Sequence, residues 1–235
     1  MSAEAGDSAD EQARVAAARQ AGRVTFMGLE LVVLPDALVP RRETELAAGA
    51  AIGALSALGG DARAIDMCCG AGNLACAMAH HVPGAHVWAS DLTDGAVGNA
   101  RANVAHLGLG GRVDVFQGDL FGPLGGLGLE GTIDLVACNP PYISTARLEK
   151  DRSVLLEHEP RAAFDGGPYG LSIHQRVIKE ALPFLKAGGR LLFEIGLGQE
   201  RQLDLLFRRV GAYSPPEPLK DASGNVRAVM AQKVG

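Results

Sequence analysis

From residue 64 onward, apolar runs of about five or six residues alternate with longer amphipathic or alanine-rich stretches, so strands and helices are expected in turn. The predicted order is strand 64–68, helix 74–81, strand 86–90, helix 95–107, strands 113–117 and 133–138, helix 171–185, strand 189–194 and helix 199–210. Two final strands are expected near 212–214 and 227–232, joined through turn residues 221–225. Upstream, 24–27 and 31–34 flank Gly28 as a β-hairpin, and 43–58 reads as a helix stopped by Gly59-Gly60. Residues 1–10 are small and polar and are expected to be disordered. Residues 11–20 read as an alanine-rich helix with little apolar face, either a linker or a contact for a second copy of the chain. Strands separated by helices make a mainly parallel sheet covered on both faces. The expected fold is therefore α/β with seven strands: a tail at 1–23, a hairpin at 24–42 and one core domain at 43–235.

In open sheets of this kind ligands bind at the C-terminal strand ends. The run 133–138 ends in Asn139-Pro140-Pro141-Tyr142. Two prolines remove two backbone donors and bias Asn139 away from the helical region, which gives a stiff loop with outward carbonyls. The Asn139 side-chain oxygen and the Pro140 carbonyl suit both hydrogens of a planar NH2 group, and Tyr142 offers a π face to it. Taken alone, the tetrapeptide is an ordinary proline-rich turn.

The run 65–73, Ile-Asp-Met-Cys-Cys-Gly-Ala-Gly-Asn, is a strand breaking into a loop where Gly70 and Gly72 allow close backbone approach. The next strand ends in Asp91-Leu92, an acid placed for ribose hydroxyls, and the third in Gly118-Asp119-Leu120, where Asp119 suits an adenine amino group and Leu120 its ring. Each aspartate alone reads equally as a strand-end cap. Glycine loop, ribose acid, adenine acid and the Asn-Pro-Pro-Tyr loop in that order point to a methyltransferase using S-adenosylmethionine and releasing S-adenosylhomocysteine. The candidate cofactor residues are Asp66, Cys68, Gly70, Gly72, Asn73, Asp91, Leu92, Asp119, Leu120 and Asn139.

With these motifs the chain, from about Val24 to Gln232, resembles the HemK/PrmC family, class I Rossmann-like methyltransferases that methylate a glutamine side-chain amide in release factors. Four further segments carry the likeness: 39–45 (Val-Pro-Arg-Arg-Glu-Thr-Glu), the Glu159-Pro160 loop with Gly166-Gly167 and Gly170-Leu171, Glu194-Ile195-Gly196, and 221–227. The resemblance implies direct methyl transfer to nitrogen, with Asn139 and Pro140 orienting the acceptor and Tyr142 flanking it. Pro141, Arg41, Glu159 and Tyr169 are candidate acceptor contacts, and Arg41 is alternatively a support for the Glu159 loop. The chain departs from the family pattern at Cys68, where the first loop glycine lies. It departs again at Arg42 for a proline, and at Phe164 and Tyr169 for a leucine and an acid.

Only about 23 residues precede the first strand, where the family carries a helical docking domain. The expectation from that difference is a small molecule or short peptide bearing a primary amide or amine, with 24–34 and 157–169 closing over it, and slow methylation of a release factor. The 235 residues carry 22 basic and 27 acidic side chains, net −5, which disfavours a nucleic-acid substrate. Cys68, Cys69, Cys76 and Cys138 follow no C-x-x-C rhythm, and Cys68, Cys69 and Cys138 meet at adjacent strand ends. Small buried apolar residues are the favoured reading over a metal or redox cluster. No metal is called for. Without a signal peptide or a membrane-length apolar run, the expected location is the cytoplasm.

Overall fold

A computed structural model of the protein describes residues 3–150 and 159–235, with side chains from Asp10 onward. Strands β1 (Arg23–Phe26) and β2 (Leu29–Val32) form the expected hairpin, turning through Met27 and Gly28 at φ 49° and 78°. Seven further strands are β3 (Arg63–Met67), β4 (His86–Asp91), β5 (Val113–Gln117), β6 (Ile133–Cys138), β7 (Leu185–Glu194), β8 (Glu217–Lys220) and β9 (Val226–Gln232). They make one sheet in the order β5-β4-β3-β6-β7-β9-β8, with β5 to β7 parallel and β9 antiparallel to both its neighbours.

Among the described residues the α-helices are α1 (Ala3–Ala21), α2 (Glu45–Ser56), α3 (Asn73–His81), α4 (Asp94–His106), α5 (Thr145–Lys150), α6 (Ser172–Glu180) and α7 (Glu200–Val210). Two apolar clusters show that both sheet faces are covered. Leu55, Ala75, Met78 and Ala100 from α2 to α4 pack on one face with Ala64, Val87 and Leu135; Val177, Ile178, Leu203 and Phe207 from α6 and α7 pack on the other with Ile65, Val136 and Phe193.

Three expectations are corrected. The tail expected to be disordered over 1–10 is helical from Ala3, within α1; Met1 and Ser2 lie outside the described residues. Isolated short helices are marginal in water, and α1 gains tertiary anchors: Arg14 donates to the Pro40 carbonyl, and Arg19 donates to those of Pro35 and Ala37, both at 2.9 Å. The helix expected over 171–185 stops at Glu180, because Pro183 cannot continue it, and β7 begins at Leu185. The strand expected at 212–214 lies instead at Glu217–Lys220, with Tyr213 making one isolated bridge to Lys233. Pro218 is tolerated there because β8 is the sheet edge.

A polar clamp ties the hairpin to the core. Asn99 and Asn103 are one helical turn apart on α4 and almost fully buried. The Val32 N–H donates to Asn103 Oδ1 at 2.6 Å and the Leu34 N–H to Asn99 Oδ1 at 3.0 Å. Both amide nitrogens donate to the Val32 carbonyl, and Asn103 also donates to the Ala71 carbonyl in the glycine loop at 2.9 Å. Asn103→Ala orphans a buried N–H at Val32 and a carbonyl at Ala71. It should cost about 1–3 kcal/mol in urea unfolding and raise hydrogen exchange at Val32 above that at Leu34, which keeps Asn99. Equal protection at the two amides would show that the clamp does not act at Val32.

Candidate active site

Each parallel strand delivers a polar group to the same edge. Asp66, on β3, is fully buried; its Oδ2 accepts from the Ala75 N–H at 2.9 Å, in the first turn of α3, and its Oδ1 has no partner. Burial pushes its pKa from 3.8 up to about 8, with the Asp91 charge adding to the rise. Asp91 ends β4. Its Oδ2 accepts from the Gly70 N–H at 2.9 Å, and its Oδ1 accepts from the Thr93 N–H and hydroxyl at 3.2 and 3.3 Å. The loop between them holds Cys68, Gly70 and Gly72 at φ 58°, 54° and 74°. Gly72 also lies so close to α4 that a Cβ would stand 3.0 Å from that of Ala100.

Asn139, Thr44, Glu194, Glu43, Tyr142 and Arg227 form the second part of the edge. The Asn139 amide nitrogen donates to Thr44 Oγ1 at 3.3 Å. Glu194, at the end of β7 and 2% exposed, has the hydrogen-bonding side chains of Thr44 and Asn139 beside it but leaves Oε2 without a partner. Burial raises its pKa from 4.5 to about 7, Glu43 adds to the rise, and those hydrogen bonds pull the other way. The Tyr142 hydroxyl donates to Glu43 Oε1 at 3.2 Å, and Arg227 pairs with the same oxygen at 2.8 Å. Burial and the Glu194 and Glu43 charges push the Tyr142 phenol upward, so it stays neutral. Gln199 holds the loop from behind, donating to the Tyr142 carbonyl at 3.0 Å and accepting from the Gly196 N–H at 2.9 Å.

These residues open into a cleft of about 1550 Å³, lined by Asn139, Pro140, Tyr142, Glu194, Arg41, Arg42, Phe164, α1 and the 220–227 turn. Arg41 and Glu159 come together as an ion pair. Glu159 also accepts from the Val39 N–H at 2.9 Å and faces Arg19 at 3.4 Å, so its carboxylate ties the 159 loop to α1 and the segment before α2. Asp119 is paired through both oxygens with Arg176, at 2.9 and 3.0 Å. Leu120, at φ 47°, is buried in the core, whereas Leu92 is 61% exposed beside Asp91. Pro141 and Tyr169 do not line the cleft, and Tyr169 is 85% exposed. Glu157 and His158 lie outside the described residues. Sequence reasoning missed Thr44, Glu43, Glu194 and Arg227 as site residues. Their signal was present in the motifs at 39–45, 194–196 and 221–227, whose meeting point the topology supplies.

A family model, Methyltransferase small domain, matches residues 47–158. The release factor glutamine methyltransferase of Moorella thermoacetica is 38% identical over 213 residues, covering 90% of this chain and 73% of that protein. That of Geobacter sulfurreducens is 38% identical over 190 residues, covering 81% and 64%. A solved methyltransferase from Pyrococcus furiosus shares the fold at TM-score 0.63 and 18% identity, over 97% of this chain and 99% of that one.

The raised carboxylates set a pH dependence. Between the ordinary carboxylate range and about 7 the unfolded chain has released the Glu194 proton while the folded one retains it, so stability falls as pH rises through that window. Asp66 extends the fall to about 8. Glu194→Gln should flatten the part below pH 7, by roughly 3 kcal/mol at most, in urea unfolding of the cofactor-free protein across pH 4.5–8. An unchanged pH profile would show that Glu194 titrates in its ordinary range.

Proposed function

Because this chain belongs to the HemK/PrmC family of release factor glutamine methyltransferases, we propose that it methylates the side-chain amide nitrogen of a glutamine in a protein acceptor, with S-adenosylmethionine as donor. The observation that carries this reading is the orientation of Asn139. Its amide nitrogen is committed inward to Thr44, beside Glu194, which leaves Oδ1 as the acceptor for a substrate. Together with the Pro140 carbonyl, Oδ1 takes both hydrogens of a carboxamide NH2 and fixes its plane. The nitrogen lone pair then faces the methyl donor. An amide nitrogen is a weak nucleophile because its lone pair is delocalised, so positioning and polarisation supply most of the acceleration. The neutral Tyr142 ring lies against the acceptor, held by Gln199 and Glu43.

S-Adenosylmethionine supplies a methyl group activated on a sulfonium sulfur and departs as S-adenosylhomocysteine. The residues at the glycine loop fit it. The unpartnered Asp66 Oδ1 is buried and suited to the methionine ammonium end, whose charge would favour the ionised carboxylate, beside Cys68, Gly70, Gly72 and Asn73. Asp91 has lone pairs for ribose hydroxyls, and Leu92 gives the adenine an exposed apolar surface. For Asp119 to accept from the adenine amino group, Arg176 must share or release it.

A small-molecule acceptor is the weaker reading. Relatives at 38% identity are named for release factors, and a cleft of about 1550 Å³ exceeds the ~300–1,000 Å³ of ordinary small-molecule pockets. A loop of a folded protein fits it better. The chain's acidity likewise favours a protein over a nucleic acid.

Asn139→Ala should cut turnover about a hundredfold while leaving S-adenosylmethionine affinity nearly intact. Asp91→Ala should instead weaken binding by ~1.5–3 kcal/mol. Calorimetry and single-turnover assays separate the two, and equal losses of binding and turnover in Asn139→Ala would remove it from the chemistry. Competition between purified release factor and a metabolite extract, read by mass spectrometry, tests the acceptor. Methylation of the release-factor glutamine is expected; methyl transfer confined to the extract would overturn it.

A further inference from the structure

Glu194 is a buried carboxylate for which methyl transfer as described has no direct use. It stands at the same sheet edge as Asn139, because Cys138, the last residue of β6, pairs with Phe193 of β7, and Asn139 and Glu194 follow these two. Asn139 has two amide hydrogens. One goes to Thr44 Oγ1 at 3.3 Å, and the Thr44 and Asn139 side chains both lie beside the Glu194 carboxyl and favour its charged form. Every inward partner of the amide is therefore an acceptor or is already donating to one. With Glu194 ionised, a flipped Asn139 would aim Oδ1 at the carboxylate and the Thr44 oxygen, losing its hydrogen bond to Thr44 and opposing lone pairs.

We propose that Glu194 is a positioning residue that locks the amide of Asn139, directly and through Thr44, so that only its oxygen faces the methyl acceptor. The inference rests on the assignment of Asn139 to the acceptor site. A flipped or freely turning Asn139 presents an NH2 to the substrate NH2, donor against donor, and the nucleophile loses its fixed plane. Such a role would offset the cost of burying a carboxylate at the end of β7. A hydrophobic residue would fill the space, but it would leave the Asn139 hydrogens indifferent to direction. Glu43 is taken up by Tyr142 and Arg227, so it does not substitute.

The test uses the full chain with S-adenosylmethionine and release factor. Glu194→Leu should lower kcat about 10- to 100-fold with cofactor affinity unchanged, and Glu194→Gln, whose amide oxygen still accepts from Asn139 and Thr44, should recover most of that loss. Adding Asn139→Ala to Glu194→Leu should cost almost nothing beyond Asn139→Ala alone, since both act on one group. Equal losses in the Leu and Gln variants, or a fully additive double variant, would overturn the proposal. If Glu194→Leu does not fold, Glu194→Met, closer in shape to the native side chain, decides: retained turnover overturns the lock, and a loss that Asn139→Ala does not deepen supports it. Normal turnover in Asn139→Ala itself would remove the assignment on which the inference rests. A collapse there with full activity in Glu194→Leu removes only the inference.

Discussion

Parallel register from β4 to β7 is the constraint on which the site depends. Met67 pairs with Ser90 on one side and Cys138 on the other, and Cys138 pairs with Phe193. The next residue outward on each strand is therefore Asp91, Cys68, Asn139 or Glu194, four neighbours in one row. Strands lie about 4.8 Å apart, so Asn139 and Glu194 meet directly, while Asp91 stands roughly two strand spacings from Asn139. That separation suits a cofactor spread over β4 and β3 with its reactive end toward β6. A one-residue slip of β6 would turn Asn139 to the opposite face and bury a different set of side chains.

Partner counts separate the carboxylates of this edge by role. Glu159 is satisfied by the Val39 N–H, Arg41 and Arg19, and its work is to hold one loop against another. Asp119 and Arg176 form a solvent-exposed bidentate pair, so the Asp119 carboxylate is satisfied by a side chain rather than left open. Asp66 and Glu194 differ from both: each is buried with one oxygen unpartnered, a cost that packing alone does not repay. Buried, perturbed acids of this kind concentrate where a ligand or a reacting group completes the set. Asp66 faces the glycine loop, and Glu194 faces Asn139.

Most of the sheet was legible because β3 to β6 are short apolar runs whose ends coincide with glycine, aspartate or proline. The glycine loop and the Asn-Pro-Pro-Tyr turn stood out for the same reason, as local chemistry at strand ends. Elements decided by remote contacts were not legible. The N-terminal helix begins earlier than its polar sequence suggests, supported by two arginines whose acceptors lie 16 to 26 residues away. The edge strand β8 is hidden by prolines that only an edge tolerates. In the site, Glu194 read as the end of a strand, and nothing local to it announces Thr44, 150 positions earlier, as its partner. Glu159 read as a candidate acceptor contact because its three partners come from segments distant in sequence.

The same distribution of partners bears on what the cleft accepts. Arg14, Arg19, Arg41 and Arg227 each already face a carboxylate, Glu11, Glu159 or Glu43, so these rim charges neutralise one another before a substrate arrives. A protonated amine would carry no lone pair for transfer. A phosphate backbone would compete with those acids for the arginines, each contact requiring an existing ion pair to break. A carboxamide asks for neither. It needs two acceptors set at a fixed angle and a flat neutral surface, the roles proposed above for Asn139, the Pro140 carbonyl and the un-ionised Tyr142, which follow directly on β6.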